Sequence, residues 1–330
     1  MADWFDRLPK AELHLHLEGA IPLEAMATLI RKYGGDETRL AERFRFRDFP
    51  HFIETWRWKS GFLREVEDFR FIAEAVARDL ARQQVRYAEV FFAPGEFAPR
   101  GLRTQPLAEA VRAGLSQVPG VEIALVGDLI RNLGPERGAR TLAELAELKG
   151  LGVIGIGLGG SEERFPPAPY APVYAEARRL GLRTTVHAGE ASGAGSVREA
   201  LDALKPDRIG HGTRAIEDGS LMDRLVREKI PVEMCPLSNV KTRVVGELKT
   251  HPVRAFADRG IPVSINTDDP LMFGNSLAAE YRGLVAELGF DRAGIRRLVL
   301  NAVETSWLPP DRKLRMAADF AADPVWKEDA

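Results

Sequence analysis

Eight times along this chain a short run of aliphatic and β-branched residues gives way to an amphipathic stretch of helical period, and this alternation limits the fold more than any other feature. The strands fall at 12–18, 85–93, 121–130, 153–158, 183–188, 208–211, 231–235 and 262–267. Helical patterns follow them at 22–33, 105–117, 136–148, 171–180, 197–204, 219–229, 252–259 and 276–288, with two more at 51–63 and 67–84 before the second strand. Strands alternating with helices of about 10–15 residues make parallel β/α units. Eight such units over about 250–300 residues close into a barrel rather than an open sheet. The expected fold is therefore α/β, a (β/α)8 TIM barrel in a single domain over 1–330. It carries a helical insert at 34–66 after the first strand, a further helix at 292–307 and a polar tail at 309–330. The insert holds Phe44, Phe46, Phe49, Phe52, Trp56, Trp58 and Phe62. Such a segment can cover a pocket, although aromatics packed as ordinary core are the simpler reading. The tail is expected to pack on the outside of the barrel or to fray.

Charge and cysteine content narrow the function classes. Forty-six Lys and Arg against 48 Asp and Glu leave a net charge of -2, which argues against a protein built to hold nucleic acid. The one cysteine, Cys235, excludes an intrachain disulfide framework and suits a reducing compartment; just before Pro236, it reads as a buried structural thiol. Residues Met1 to Asp6 lack the basic and then apolar sequence of a signal peptide, and no apolar run reaches the roughly 20 residues that span a bilayer. A cytoplasmic protein with a small-molecule partner, and neither nucleic acid nor membrane as partner, is expected. The oligomeric state stays open.

The reactive residues collect at the ends of strands. Glu12 to Glu18 alternates polar and apolar with the period of a half-buried strand, so His14 and His16 share a face and can converge on one point. Alone, this pair is equally the polar side of an edge strand. Three further clusters end later strands: Thr185-Val186-His187-Ala188-Gly189-Glu190, Arg208-Ile209-Gly210-His211-Gly212, and Ser264-Ile265-Asn266-Thr267-Asp268-Asp269-Pro270. Four of the six histidines lie there; His51 and His251 do not. The C-terminal strand ends are where barrel enzymes place their active sites. Imidazoles with a carboxylate can bind zinc and leave a position for water, whose pKa the ion lowers to about 7. His14, His16, His187 and Asp268 are candidate ligands. Glu190 is a candidate proton carrier, His211 can orient or deprotonate the water, and Asp269 can hold a substrate nitrogen. Each has a plainer reading: a core histidine for His187, a helix-start carboxylate for Glu190, a turn and N-cap for Asp268-Asp269-Pro270. Their joint arrival at strand ends in one barrel favours a site.

The chain resembles the adenosine/adenine/AMP deaminases of the amidohydrolase superfamily. The resemblance runs from about residue 8 to 308. It rests on L-P-K-A-E-L-H-L-H-L-E-G at 8–19, V-H-A-G-E at 186–190, R-I-G-H-G at 208–212, C-P-L-S-N at 235–239 and N-T-D-D-P at 266–270. It implies a barrel holding one Zn2+ per chain on His14, His16, His187 and Asp268. It further implies that Glu190 protonates the ring nitrogen beside the amino-bearing carbon, that His211 orients the attacking hydroxide, and that Asp269 bonds the imidazole-ring nitrogen of the purine. Gly160, in G-L-G-G-S-E, would offer its backbone N–H to another ring nitrogen, and His16 and Glu18 would lie near the far end of the substrate.

Hydrolytic deamination of adenosine or 2′-deoxyadenosine to the inosine product and ammonia is the main expectation. Adenine, or a modified nucleoside such as aminodeoxyfutalosine, is the alternative. Relatives acting on adenosine usually carry Asp where this chain has Glu18, a residue more familiar from adenine deaminases. Adenine-specific relatives, in turn, tend to have Asp where this chain has Gly210. No Arg/Lys cluster marks the strand-end loops, which argues against AMP. A two-metal amidohydrolase would want a bridging Lys on the fourth strand, and Val153 to Gly159 has none. A purine-binding barrel without catalysis would have lost a ligand or Glu190, and none is lost.

Overall fold

The computed structural model describes residues 2–46 and 49–328, with the backbone alone at 49 and 50. The parts of the insert and tail at 47–48 and 329–330 lie outside the described residues, as does the side chain of Phe49. Eight strands run β1 (Lys10–His16), β2 (Val85–Phe92), β3 (Glu122–Ile130), β4 (Val153–Gly159), β5 (Arg183–Ala188), β6 (Arg208–His211), β7 (Val232–Met234) and β8 (Val263–Ile265). They pair in that order, every neighbouring pair parallel. With helices between the strands, this is the (β/α)8 barrel the alternation requires.

β1 corrects one expectation. It is not half-buried: six of its seven residues are buried and His16 nearly so. Its period of two separates the barrel interior from the helix-facing side, both of which are shielded from water. The strand also ends earlier than the pattern suggests. Leu17 and Glu18 enter a turn closed by Gly19 N–H bonding the His16 carbonyl at 3.0 Å. β7 and β8 are three residues each because Pro236 opens a helix after one and Asn266 turns its side chain into the seam after the other.

That seam, between β8 and β1, closes the barrel with side chains in place of a regular ladder. Leu13 N–H bonds Asn266 Oδ1 and Thr267 N–H bonds Glu12 Oε1, each at 2.8 Å. Above them His16 N–H bonds the Asp268 carbonyl at 2.9 Å, and Asp268 N–H bonds the His14 carbonyl at 3.1 Å. The two motifs at the ends of the chain are thus stitched together at the site itself.

The opposite end of the barrel is plugged. Arg208, fully buried, ion-pairs with Glu89 and Glu233 and lies 3.8 Å from the Trp307 ring. Trp307 fits because Gly155 has no Cβ; one would meet the indole at 2.4 Å. Lys10 Nζ, also buried, bonds the carbonyls of Leu8 at 2.7 Å and Gln83 at 2.8 Å.

The insert forms a short helix at Leu40–Arg43 and a longer one at Phe49–Ser60. Over its described residues, to 328, the tail packs on the outside of the barrel. It makes a helix at Pro310–Ala322 and a 3-10 turn at Pro324–Lys327, where Phe320 and Trp326 are buried, and Trp4 Nε1–H bonds the Val325 carbonyl at 2.9 Å. Among the described residues no helix is long and apolar enough to cross a membrane.

Candidate metal centre at the mouth of the barrel

The side chains at the C-terminal strand ends converge. His14 Nε2 lies 3.0 Å from His187 Nε2, and His16 Nε2 lies 3.2 Å from it. Asp268 Oδ1 stands 3.6 Å from His14 Nε2 and 3.4 Å from His16 Nε2. Donor atoms gathered this closely around a common point have the spacing of ligands about 2.0–2.2 Å from one ion. Ligand atoms of His14, His187, His211 and Asp268 all lie within 4.8 Å of one another. This group admits His211, which the sequence reading set aside as a water-orienting residue. His16 remains within reach of two members. Five residues therefore surround one point, a cluster consistent with a single metal site.

Buried partners fix the rings. His14 Nδ1 lies 2.7 Å from Glu233 Oε2, the carboxylate–histidine arrangement that turns the other nitrogen toward a metal. Burial lowers the affinity of His14 for a charge, yet Asp268 and Glu233 on either side push its pKa up to about 10. The same pair of carboxylates favours a cation at that point, whether proton or metal ion. Burial instead pushes His16 down to about 3 and His211 to about 4, leaving neutral rings with a lone pair to give. Ser238 Oγ–H bonds Asp268 Oδ2 at 2.7 Å, so Oδ1 is the oxygen that faces the histidines. Asn239 Nδ2 lies 3.2 Å from His211 Nδ1, and its Oδ1 lies 3.1 Å from His251 Nε2. His211 and Asp268 both adopt positive φ, +59° and +65°, uncommon for residues with a Cβ and characteristic of strained functional positions.

Glu190 stands beside this group, its Oε2 at 3.7 Å from His211 Nε2. The His211 nitrogen is buried and has no other partner. Burial first, then the charges of Asp268 and Glu162, push the Glu190 carboxyl up to about 8. Its loop is set by Glu162, whose carboxylate accepts N–H bonds from Gly189 at 2.6 Å, Glu190 at 3.1 Å and Ser192 at 3.0 Å. β4 and β5 pair only at Gly155–Arg183 and Ile156–Thr184 and part above. Arg131 fills the gap, donating from Nη2 to the His187 carbonyl at 2.7 Å.

Gly160 has φ +101° and its missing Cβ would fall 2.4 Å from Asn132 Oδ1, so both the backbone angle and the packing require glycine there. Asp269 packs so tightly on Gly19 that a Cβ would fall 1.7 Å from its Oδ1. Glu18 is buried, and its Oε1 accepts the Ala93 N–H at 3.1 Å. Gly210 is required by packing, since a Cβ would come 2.9 Å from His14 Cε1.

All nine residues singled out in the sequence for catalysis, metal or substrate stand at this mouth, with Glu190, His211 and the ligand candidates clustered at its centre. Five supporting residues were missed: Glu162, Glu233, Arg131, Ser238 and Asn239. Ser238, Asn239 and Glu162 sit inside motifs quoted whole, so a reading of each motif residue by residue would have raised them. Arg131 and Glu233 carry no local signal.

A closed parallel barrel with imidazoles and an aspartate gathered at its C-terminal mouth, beside a buried glutamate, defines a metal-dependent hydrolase of the deaminase type, with a site for one ion. Residues 9–322 match the family described as Adenosine deaminase, and the chain belongs to that family. It is 37% identical over 96% of its length to an adenine deaminase of Rhodospirillum rubrum, 96% of which is covered. It is 38% identical over 95% of its length to an aminodeoxyfutalosine deaminase of Streptomyces avermitilis, 90% of which is covered. Among solved structures it is similar to an adenine deaminase from Arthrobacter aurescens, with TM-score 0.90, 31% identity, and 95% of this chain and 98% of that one covered. An amidohydrolase from Burkholderia ambifaria with bound zinc has TM-score 0.88 and 26% identity, with 96% and 91% covered.

Proposed function

We propose that this protein hydrolytically deaminates the adenine ring of a nucleoside modified on its 5′ side, of the aminodeoxyfutalosine kind, with release of ammonia. The carrying observation is the state of Glu18. Its carboxylate is tethered at Oε1 to the Ala93 N–H and buried, which suits a substrate whose 5′ side differs from the plain ribose that the corresponding aspartate contacts in adenosine-type relatives. Plain adenosine, the first expectation, is for that reason set behind the modified nucleoside; the relatives reported above are named for adenine and for aminodeoxyfutalosine, and neither for adenosine. Free adenine is the second reading. Glu18 favours it, while Gly210, standing where adenine-specific relatives tend to carry Asp, speaks against it.

His14, His16, His187 and Asp268 would hold the zinc, whose spacing the ring nitrogens already fit. Bound there, the ion supplies a Lewis acid that makes water nucleophilic at neutral pH. Glu190 carries the proton to the ring nitrogen next to the amino-bearing carbon, so that the ring can accept hydroxide at that carbon. His211, with Nε2 free and Nδ1 held toward Asn239, orients the attacking oxygen and stabilises its growing charge. Gly160 N–H and Asp269 bond the far ring nitrogens and fix the face presented. Ammonia then leaves and the ring keeps a carbonyl oxygen.

Ammonia release from aminodeoxyfutalosine, adenine, adenosine, 2′-deoxyadenosine and AMP, followed in parallel, tests the reading. The modified nucleoside should show the highest kcat/KM. If adenosine leads by more than tenfold, the Glu18 argument fails; if none of the five releases ammonia, the deaminase reading does.

A further inference from the structure

The insert contributes one residue to the site that no strand supplies. Lys59, in the helix Phe49–Ser60, is fully buried. Its ammonium donates to the carbonyl oxygen of Glu18 at 2.7 Å and stands 3.4 Å from the centre of the Trp56 ring. Among the described residues it makes no ion pair; the carboxylates of Asp269, Glu18 and Glu96 supply its counter-charge from further off. A buried ammonium is costly unless something holds it there. What holds this one is the short turn between β1 and the rest of the chain.

The turn has two sides. On the other side from Lys59, Asp269 lies against Gly19, where a Cβ would fall 1.7 Å from Oδ1, and Leu271 N–H bonds the Gly19 carbonyl at 2.8 Å. Glu18, Gly19 and Asp269 thus form one packed corner, with Lys59 as its outer pin. Next to the pin, Arg100 Nη1–H bonds the Ser60 carbonyl at 2.6 Å, so the end of the insert helix is itself anchored. Removing the ammonium frees the Glu18 carbonyl and lets the corner shift. A displacement well under 1 Å is enough to spoil hydrogen bonds whose useful range is a few tenths of an ångström.

We propose that Lys59 is a positioning residue that sets how tightly the pocket holds a purine, acting through the Glu18–Gly19–Asp269 corner. The inference rests on the substrate contacts assigned above to Glu18 and Asp269. It gives the insert a role in binding and none in the chemical step, because Lys59 touches neither the metal ligands nor Glu190.

Hypoxanthine, the base that deamination leaves, is titrated calorimetrically into zinc-loaded wild type and Lys59→Met, with zinc content and Tm measured on the same samples. The Met variant should bind about tenfold more weakly, about 1.4 kcal/mol, while retaining one zinc. In turnover KM should rise by a similar factor with kcat within about threefold. In a Glu18→Gln background the Lys59→Met effect should shrink, since the two act through one corner. Lys59→Arg, which keeps the charge and donors, should recover most of the affinity. If Lys59→Met does not fold, Lys59→Gln is read the same way. Unchanged hypoxanthine affinity, or a loss confined to kcat, overturns the proposal. A wild type that binds hypoxanthine and releases no ammonia overturns the deaminase reading alone, and one that binds none while releasing ammonia overturns the positioning proposal alone.

Discussion

At the scale of single residues, the site separates holding from reacting. Five side chains are turned on one point, and three of them are tied down by neighbours: His14 Nδ1 by Glu233, Asp268 Oδ2 by Ser238 and His211 Nδ1 by Asn239. Glu190 touches none of the ligand candidates within hydrogen-bond distance and is held only through its backbone, by Glu162. Replacing it should therefore leave the metal in place. Glu190→Gln is expected to keep one zinc per chain by atomic absorption while kcat falls by about 10²–10⁴-fold, the usual weight of a positioned proton carrier. Wild-type turnover in that variant would remove Glu190 from the mechanism. The ligand candidates were legible in sequence because strand alternation puts His14 and His16 on one face. Arg131 and Glu233 were not, because their roles come from lateral neighbours in the barrel, and a linear sequence does not show which residues of β7 and of the turn after β3 look inward at the same height.

At the scale of elements, the β8–β1 seam and the insert's attachment carry the argument. The seam is closed by Asn266 and Glu12 side chains just beneath the ligands. Asn266→Ala would leave the buried Leu13 N–H without its acceptor, costing about 1–3 kcal/mol. Urea unfolding should show that loss together with weaker zinc retention against a chelator, since Asp268 rides on the same seam. A loss of stability with unchanged zinc retention would uncouple the two. Asp68 clamps the helix Leu23–Lys32 to the start of the helix Val66–Arg82, accepting from Lys32, from Tyr33 Oη–H at 2.6 Å, and from the N–H groups of Arg64 at 2.8 Å and Glu65 at 2.9 Å. Burial pushes its pKa up, but these donors prevail and hold it below the ordinary value of 3.8. A carboxyl depressed on folding adds stability above its unfolded pKa, and that stability is lost as pH falls through the folded value. Asp68→Asn should accordingly cost about 1–2 kcal/mol at pH 7, and the gap to wild type should narrow steadily below about pH 4. A gap independent of pH would mean that packing, and not the charge, makes the clamp. The helix and strand centres here were readable from periodicity; their ends were not. The π-wound turn at Ala200–Leu204 and the short β7 and β8 depend on neighbours that the local pattern does not name.

At the scale of the whole molecule, one barrel presents a reactive mouth and a sealed base. Eight alternating units made the barrel readable, and the motifs made its mouth readable. The tail was not, because Phe320 and Trp326 are isolated apolar residues in polar surroundings and only the base of the barrel gives them something to cover. The insert was half legible: its aromatics were visible, but Lys59 looks like any surface lysine until Glu18 O is found above it. What unites these scales is the claim that His14, His16, His187, Asp268 and their neighbours exist to hold one ion for deamination. The direct test is to strip the protein with a chelator, restore zinc stepwise, and follow ammonia release from the preferred adenine-bearing substrate. Activity should rise linearly and reach its plateau at one zinc per chain. Full activity in the metal-free protein, or a plateau at two, would contradict the account.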